Sequence, residues 1–175
     1  QLHNRPAELP KLKVQYADFA IWQRNYIKGE VLENKLNYWK TKLDGVEPLN
    51  LYTDFPRTLT PTFEGKSIAF SIDKKLSDRL NELSRNNGCT LYITMLSSLK
   101  TLFYRYTGQT DICVGASVAG RQQQEIENLI GFFVNTLALR TIFNPQSSFT
   151  DILTSVKQTA LEAFDNQEVP FEKVV

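Results

Sequence analysis

One side-chain amide interrupts an apolar row in the second half of the chain. Phe133, Asn135, Leu137 and Leu139 alternate within residues 130–140, so they share one face of a predicted strand. A buried amide without hydrogen-bond partners costs about 1–3 kcal/mol, so Asn135 needs partners. Beside a substrate passage it would orient a carbonyl or donate to developing negative charge. Alternatively it satisfies backbone groups where its strand meets a neighbour, and both interpretations stay open.

A second predicted strand, residues 112–118, has one face of very small side chains. Cys113, Gly115 and Ser117 lie on that face, whereas the opposite face carries larger aliphatic residues. Small residues on a strand usually mean that another backbone or a ligand approaches closely. Gly115 and Ser117 are therefore candidate residues for a binding surface.

Several kinds of active site are excluded within these 175 residues. Residues 115–120 differ from a nucleophile elbow, because the second glycine comes one position late and no strand-to-helix turn follows Ser117. His3 is the only histidine, so a Ser-His-acid triad cannot form within the chain. Neither a Gly-rich phosphate loop nor a metal-ligand spacing is present. Cys89 and Cys113 are too few for a disulfide scaffold, which favours a reducing cytoplasm.

Composition indicates a globular chain of balanced charge. Hydrophobic residues make up 42% of the sequence, which is ordinary for a domain with a real core. The 20 basic and 19 acidic residues nearly cancel, which argues against nucleic acid or a membrane surface as a partner. No apolar run reaches the length of a membrane span.

Apolar periodicity and punctuating glycines predict the elements that must position these residues. Helices are expected at 14–28, 30–43, 73–87, 90–107 and 149–165, with a proline-rich loop over 46–65 and a strand over 66–72. The first two helices should pack as a hairpin. Asp73, Thr90 and Ser148 are predicted helix caps, the last with Asp151 in a capping box. This order of strands and helices indicates a mixed α/β fold in two layers.

Two helices have predicted burial patterns. For 73–87 the inward residues are Leu76, Leu80 and Leu83. The helix at 90–107 should be largely buried, with Ser97, Ser98 and Lys100 on its outer face. Its predicted inward residues are Leu91, Met95, Leu99, Leu102, Phe103 and Tyr106.

Four motifs together carry a resemblance to a known family. Residues 108–115 read Gly-Gln-Thr-Asp-Ile-x-Val-Gly and are closed by Arg121, and residues 130–140 read Ile-Gly-Phe-Phe-Val-Asn-Thr-Leu-x-Leu-Arg. Residues 16–23 read Tyr-x-Asp-Phe-Ala-x-Trp-Gln, and residues 166–173 read Asn-Gln-Glu-Val-Pro-Phe-Glu-Lys. In this order and spacing they resemble the condensation domain of nonribosomal peptide synthetases. The family's His-His-x-x-x-Asp-Gly motif is absent from the sequence and would lie upstream, so the chain resembles a piece of that domain.

The resemblance implies a fold of chloramphenicol-acetyltransferase type, mainly its C-terminal half. Residues 1–62 would form a hinge-side helical hairpin and connector, and residues 63–175 the start of the C-terminal lobe. A tunnel between two such lobes receives substrates in this family. The residues assigned to its wall are Asn135, Ser117, Gly115, Trp22, Gln23 and Arg121. Tyr16 and Asp18 would help Trp22 and Gln23 to shape this passage. For Trp22 the alternative is a core position, and for Asp18 it is a surface or hinge hydrogen bond.

The implied activity is formation of an amide bond between two carrier-bound thioesters. Donor and acceptor peptidyl carrier proteins would be the partners, together with an adjacent adenylation domain. Each carrier brings its own phosphopantetheine, so no cofactor is expected on this chain. No catalytic residue is assigned here, because the histidine credited with positioning or deprotonating the amine is absent, and the isolated chain is expected to be inert.

The sequence leaves two alternatives to a condensation function open. One is a non-condensing relative, either an epimerase or a recruitment platform, although residues 133–136, Phe-Val-Asn-Thr, favour condensation over epimerisation. The other is a small-molecule acyltransferase of the same fold.

Overall fold

The computed structural model describes residues 11–56, 60 and 65–175, and His3 lies outside them. It has five α-helices and two strands within that part of the chain, with short 3-10 turns at Gln124–Ile126 and Phe171–Lys173. The helices and strands are α1 Tyr16–Tyr26, α2 Gly29–Leu43, α3 Lys74–Asn86, α4 Leu91–Thr107, β1 Asp111–Val118, β2 Asn135–Ile142 and α5 Phe149–Asp165. None of the described helices combines the length and apolar character that crossing a membrane requires.

Local capping chemistry sets the helix ends as the sequence predicts. Asp73 accepts a hydrogen bond from the amide of Leu76 at 2.7 Å and begins α3. Thr90 caps α4 in the same way, and Gly108 ends that helix in the left-handed conformation with φ of 71°. Before α5, the Ser148 amide donates to Asp151 at 2.9 Å, which is one half of the predicted capping box.

The chain divides into two compact units. The first takes in residues up to Thr41, Ser117–Leu137 and Asn166–Val175. The second comprises Lys42–Ala116 and Ala138–Asp165. The two strands pair with each other. They are antiparallel, because Phe143, just after β2, donates its amide to the carbonyl of Thr110, just before β1, at 2.7 Å.

The second unit is built around α4, which packs against both α3 and α5. Helix α5 buries one continuous apolar stripe, and Ile112 and Leu139 of the strands are also buried. The buried residues of that stripe are Ile152, Leu153, Val156, Ala160 and Ala163. This core fixes the ends of β1 and β2 that lie in the unit.

The predicted burial of α4 is wrong, because the helix buries its polar face. Thr94, Ser97 and Lys100 are fully buried beside Ile93 and Leu96. Hydrogen bonds compensate for this burial, since the Ser97 hydroxyl donates to the carbonyl of Ile93 at 2.8 Å. Five of the six residues predicted to face inward are among the exposed large hydrophobic side chains: Leu91, Met95, Leu99, Leu102 and Tyr106.

Four further predictions about elements are wrong. Residues 66–72 form no strand, and Ile68 and Phe70 are 89% and 81% exposed, because the described residues give this segment no neighbouring strand to pair with. In α3, Leu76 is exposed whereas Leu80 and Leu83 are half-buried. Helices α1 and α2 do not pack along their lengths as a hairpin, since α1 buries no residue. Residues 130–134 also lie outside β2, which begins only at Asn135.

The first unit has its own small core. Ile126, Leu129 and Phe133 are buried together, and the partly buried Val14 and Phe19 pack against them. Trp39 of α2 is also buried, with 2% of its surface exposed. The cluster of Ile126, Leu129, Phe133, Val14 and Phe19 holds α1 and the loop before β2 around the cavity described next.

Candidate functional site

A cavity of about 310 Å³ lies within the first unit. That volume is at the lower end of the range for small-molecule sites. Its wall comes from the three chain segments that carry the motifs at 16–23, 130–140 and 166–173, together with residues after β1. Aromatic rings come from Tyr16, Phe19, Trp22, Phe132 and Phe133, amides from Gln23, Gln122, Gln123, Asn135 and Gln167, and carboxylates from Glu168 and Glu172. The cavity is therefore apolar in body with many hydrogen-bonding groups at its wall.

Helix α1 is held at the cavity through its first turn. The Tyr16 hydroxyl donates to the carbonyl of Phe132 at 2.9 Å, and its ring packs edge-on against Phe133. A side chain at Gly131 would overlap the Tyr16 ring, so only glycine fits there without displacing it. Asp18 accepts the amide of Gln15 at 2.8 Å, which is the surface hydrogen bond proposed as the alternative to a role in substrate binding.

Trp22 and Gln23 both line the cavity. Trp22 is 40% exposed and stacks on Tyr26 with 5.2 Å between ring centroids. The alternative interpretation of Trp22 as a core residue is therefore wrong. Helical spacing of aromatic residues did not distinguish a cavity wall from a core face.

Arg121 contacts the loop next to the cavity, and it is not among the lining residues. Its guanidinium lies 4.0 Å from the centre of the Phe133 ring and donates to the carbonyl of Ile126 at 2.6 Å. The adjacent Gly120 has φ of 64°, and a side chain there would overlap the carbonyl of Phe133. Together these two residues shape the turn that leads from β1 to the cavity.

Asn135 lines the cavity, yet its amide is bonded to backbone. Its nitrogen donates to the carbonyls of Gln167 and Val169, each at 2.7 Å. Its oxygen accepts the amides of Thr136 at 2.9 Å and Phe171 at 3.1 Å. The lone amide in the apolar row thus has partners, as its predicted burial required.

Gly115 and Ser117 are exposed on β1, and neither lines the cavity. Cys113, on the same face, is half-buried, so the small-residue face is open at Gly115 and Ser117 only. Their assignment to a passage wall stays a prediction.

Two polar groups in the second unit escaped the sequence analysis. The first is Asp111, which is held by Arg140, whose Nε and Nη2 donate to it at 2.7–3.0 Å. Arg140 also donates to the carbonyls of Lys42 and Asp44, and the Asp111 hydrogen bond raises the pKa of the guanidinium. Antiparallel pairing of the two predicted strands places Asp111 near Arg140, so this signal was present in the sequence.

The second of these polar groups is Lys100, whose side chain is fully buried. Its ammonium group donates to the carbonyls of Ile112 at 3.3 Å and Leu139 at 2.6 Å and to the hydroxyl of Thr141 at 2.7 Å. Burial lowers its pKa from 10.5 to about 8. No local sequence signal marks a lysine on a helix as buried.

Among the described residues no group of three or more histidine, cysteine or carboxylate side chains is arranged to hold a metal ion. The aromatic faces and amides at the cavity wall are groups that can bind and orient a ligand and exclude water. This chemistry suits a site in which the reacting groups are brought in by the substrates.

Comparison with known proteins assigns the family. The family model described as "Condensation domain" matches residues 1–175. The chain is 49% identical over 168 residues to one of the linear gramicidin synthase subunits of Brevibacillus parabrevis, a match that covers 95% of this chain and 3% of that protein.

Solved structures share the fold. SgcC5 from Streptomyces globisporus matches with a TM-score of 0.80 and 29% identity, covering 98% of this chain and 38% of that one. The X-domain in its complex with OxyB from teicoplanin biosynthesis matches with a TM-score of 0.87 and 26% identity, covering 98% of this chain and 39% of that one. The predicted α/β fold is confirmed by these matches. This chain, which spans only a small part of the gramicidin synthase polypeptide that it matches, belongs to the condensation domain family.

Proposed function

We propose that the protein containing this chain joins two carrier-bound groups through an amide bond. The acceptor's amine nitrogen attacks the carbonyl carbon of the donor thioester, so that a C–N bond forms, the C–S bond breaks, and the amine proton and the thiolate leave as a thiol. Donor and acceptor would each be tethered to a peptidyl carrier protein through phosphopantetheine, and an adenylation domain would load the acceptor carrier. A cytoplasmic location fits these partners and the low cysteine content.

The observation that carries this proposal is the cavity formed by three motifs of the family in one compact unit. Trp22 and Gln23 from α1 and Asn135 from β2 bring an aromatic face and two amides to one space. Such a wall suits a neutral chain of methylene and amide groups, which is what a pantetheine arm presents. The identity of 49% to a gramicidin synthase polypeptide supports peptide synthesis as the biological setting.

No residue of this chain is proposed as the acid or base. The only histidine, His3, lies outside the described residues, and the chain corresponds to 38% of the length of SgcC5. We expect the 175 residues alone to give no turnover.

A second candidate function is recruitment of another protein without catalysis. The match to an X-domain in complex with OxyB favours it, because that fold serves there as one partner of a complex. Identity is lower for this match than for the gramicidin synthase polypeptide, 26% against 49%, so condensation is the function supported best.

One assay separates these functions. The intact synthetase is incubated with a donor carrier bearing a radiolabelled acyl thioester and an acceptor carrier bearing an aminoacyl thioester. Label transferred to the acceptor carrier as an amide supports condensation. Product formed equally well from a free amine supports a small-molecule acyltransferase, a donor epimerised without transfer supports an epimerase, and no reaction supports recruitment.

A further inference from the structure

The side chain of Asn135 has no hydrogen-bonding capacity left for a substrate. A primary amide offers two N–H donors and two acceptor lone pairs. Both donors are used by the carbonyls of Gln167 and Val169, and both lone pairs by the amides of Thr136 and Phe171, at 2.7–3.1 Å. An Asn135 that donated to a substrate oxygen would have to abandon one of these carbonyls. Val169 is 1% exposed, so water cannot easily replace the lost bond.

The segment that Asn135 holds is a wall of the cavity. Four cavity-lining residues lie in it: Gln167, Glu168, Pro170 and Glu172. Residues 166–170 adopt neither helix nor strand, so their backbone groups need partners elsewhere. Side chains of α2 supply two other anchors at its start, since Trp39 donates to the carbonyl of Asn166 at 3.0 Å and Lys35 pairs with Glu168 at 2.8 Å.

We infer that Asn135 is a positioning residue, which fixes the cavity wall 166–172, and not a donor to the reacting oxygen. The inference deepens the proposed function, on which it rests for the meaning of the cavity. Only an amide of this length fits the four partners. Aspartate has no N–H for the two carbonyls, and alanine reaches none of the groups.

Hydrogen–deuterium exchange tests this in the absence of substrates. The variants are Asn135→Ala and Asn135→Asp in the intact synthetase, followed by exchange at residues 166–173. Loss of even one hydrogen bond of ordinary strength corresponds to about a tenfold change in the opening equilibrium, so exchange there should rise by about tenfold or more in both variants. Asn135→Asp keeps the size of the side chain, so a rise in that variant assigns the effect to the lost donors.

The matched control is Asn87→Ala. Asn87 donates its side-chain amide to the carbonyl of Leu83 at 2.8 Å at the end of α3, in the second unit. The Asn87→Ala substitution removes a side-chain-to-backbone hydrogen bond of the same kind, so exchange at residues 166–173 should not change. Condensation should slow in both Asn135 variants and not in the control.

Slower condensation with unchanged exchange at residues 166–173 would overturn the inference, because it would indicate that Asn135 contacts the substrate directly. The native protein gives a test that needs no variant. The Phe171 amide, bonded to Asn135, should be protected from exchange, and an unprotected Phe171 amide would also overturn the inference. If the exchange results hold while the synthetase forms no amide bond, the positioning role stands and the proposed function fails.

Discussion

Lys100 makes the stability of the second unit depend on pH in an unusual direction. Its ammonium group is fully buried, and its hydrogen-bond acceptors are two carbonyls and a hydroxyl rather than a carboxylate. Desolvation is the main reason why its pKa falls from 10.5 to about 8. The charges of Cys113 and Asp111 oppose the shift, and that of Lys42 adds to it.

The sign follows from proton counting. Between about pH 8 and 10.5 the folded protein has released the Lys100 proton while the unfolded chain still holds it. The free energy of unfolding therefore rises with pH across this window, by about 3 kcal/mol in total if no other group titrates. Below pH 8 both states are protonated and the contribution is constant.

Cys113 acts in the opposite sense, because burial raises the pKa of its thiol above 9.0. Its contribution to stability is present below pH 9 and is lost as pH rises further. We therefore compare the native sequence with Lys100→Met, which keeps a long side chain without a charge. The Lys100 charge also lowers the Cys113 pKa, so the comparison is repeated in a Cys113→Ala background, in which only Lys100 differs.

The assay is urea denaturation of the intact condensation domain, followed by circular dichroism at pH 7.5 to 10.5. The difference in free energy of unfolding, native minus Lys100→Met, should increase by about 3 kcal/mol from the low to the high end of this range. A difference that stays flat, or that falls as pH rises, would refute the reasoning, because it would mean that Lys100 is solvated or keeps its proton.

Three further substitutions test the packing and the cavity. Gly131→Ala should lower the free energy of unfolding by about 1–3 kcal/mol, measured by urea denaturation, because its methyl group would overlap the Tyr16 ring; unchanged stability would contradict the packing. Arg140→Lys should lower the free energy of unfolding by about 1–3 kcal/mol, measured in the same way. Lysine keeps the charge, but it cannot hold Asp111 with two nitrogens and also reach two carbonyls, so equal stability would contradict this role. Trp22→Leu should lower kcat/KM for condensation by about tenfold in the carrier assay. Its effect on stability should be much smaller, because Trp22 is 40% exposed. An unchanged kcat/KM would mean that Trp22 does not contact the substrate.

Helix ends were predictable because their causes are local. Ser148 and Asp151 lie three residues apart, and the bonds between them form wherever the helix forms. The signal that ends α4 is equally local, since Gly108 adopts a left-handed backbone conformation that costs glycine little. The helix bounds Phe149–Asp165 follow from such signals together with the periodicity of the apolar residues.

The orientation of α4 was not predictable in this way. Both of its faces carry large apolar residues, so periodicity alone leaves the buried side undetermined, and polar residues ordinarily mark the solvent side. The structure buries Ser97 and Lys100 because carbonyls and a hydroxyl are within their reach. The prediction of a strand at 66–72 failed for a related reason, since a strand depends on a partner that its own sequence does not specify.

The site was predicted in part. Family resemblance identified Asn135, Trp22 and Gln23, and all three line the cavity. It did not give their roles, because a motif records which residue is present and not which atoms it bonds. Only the contacts of Asn135 reveal that its amide serves the backbone of residues 167–171, through three of its four hydrogen bonds.

The central claim is that the cavity of the first unit receives a carrier-tethered substrate. The direct measurement uses an acceptor carrier whose pantetheine arm ends in a non-hydrolysable aminoacyl amide with a diazirine on the side chain. After irradiation with the intact condensation domain, the labelled peptides are identified by mass spectrometry. We predict labelling in peptides that contain residues 16–27 or 167–172, and this labelling should fall when excess carrier bearing the same aminoacyl amide without the diazirine competes for the site. Labelling confined to peptides that contribute nothing to the cavity wall would contradict the claim.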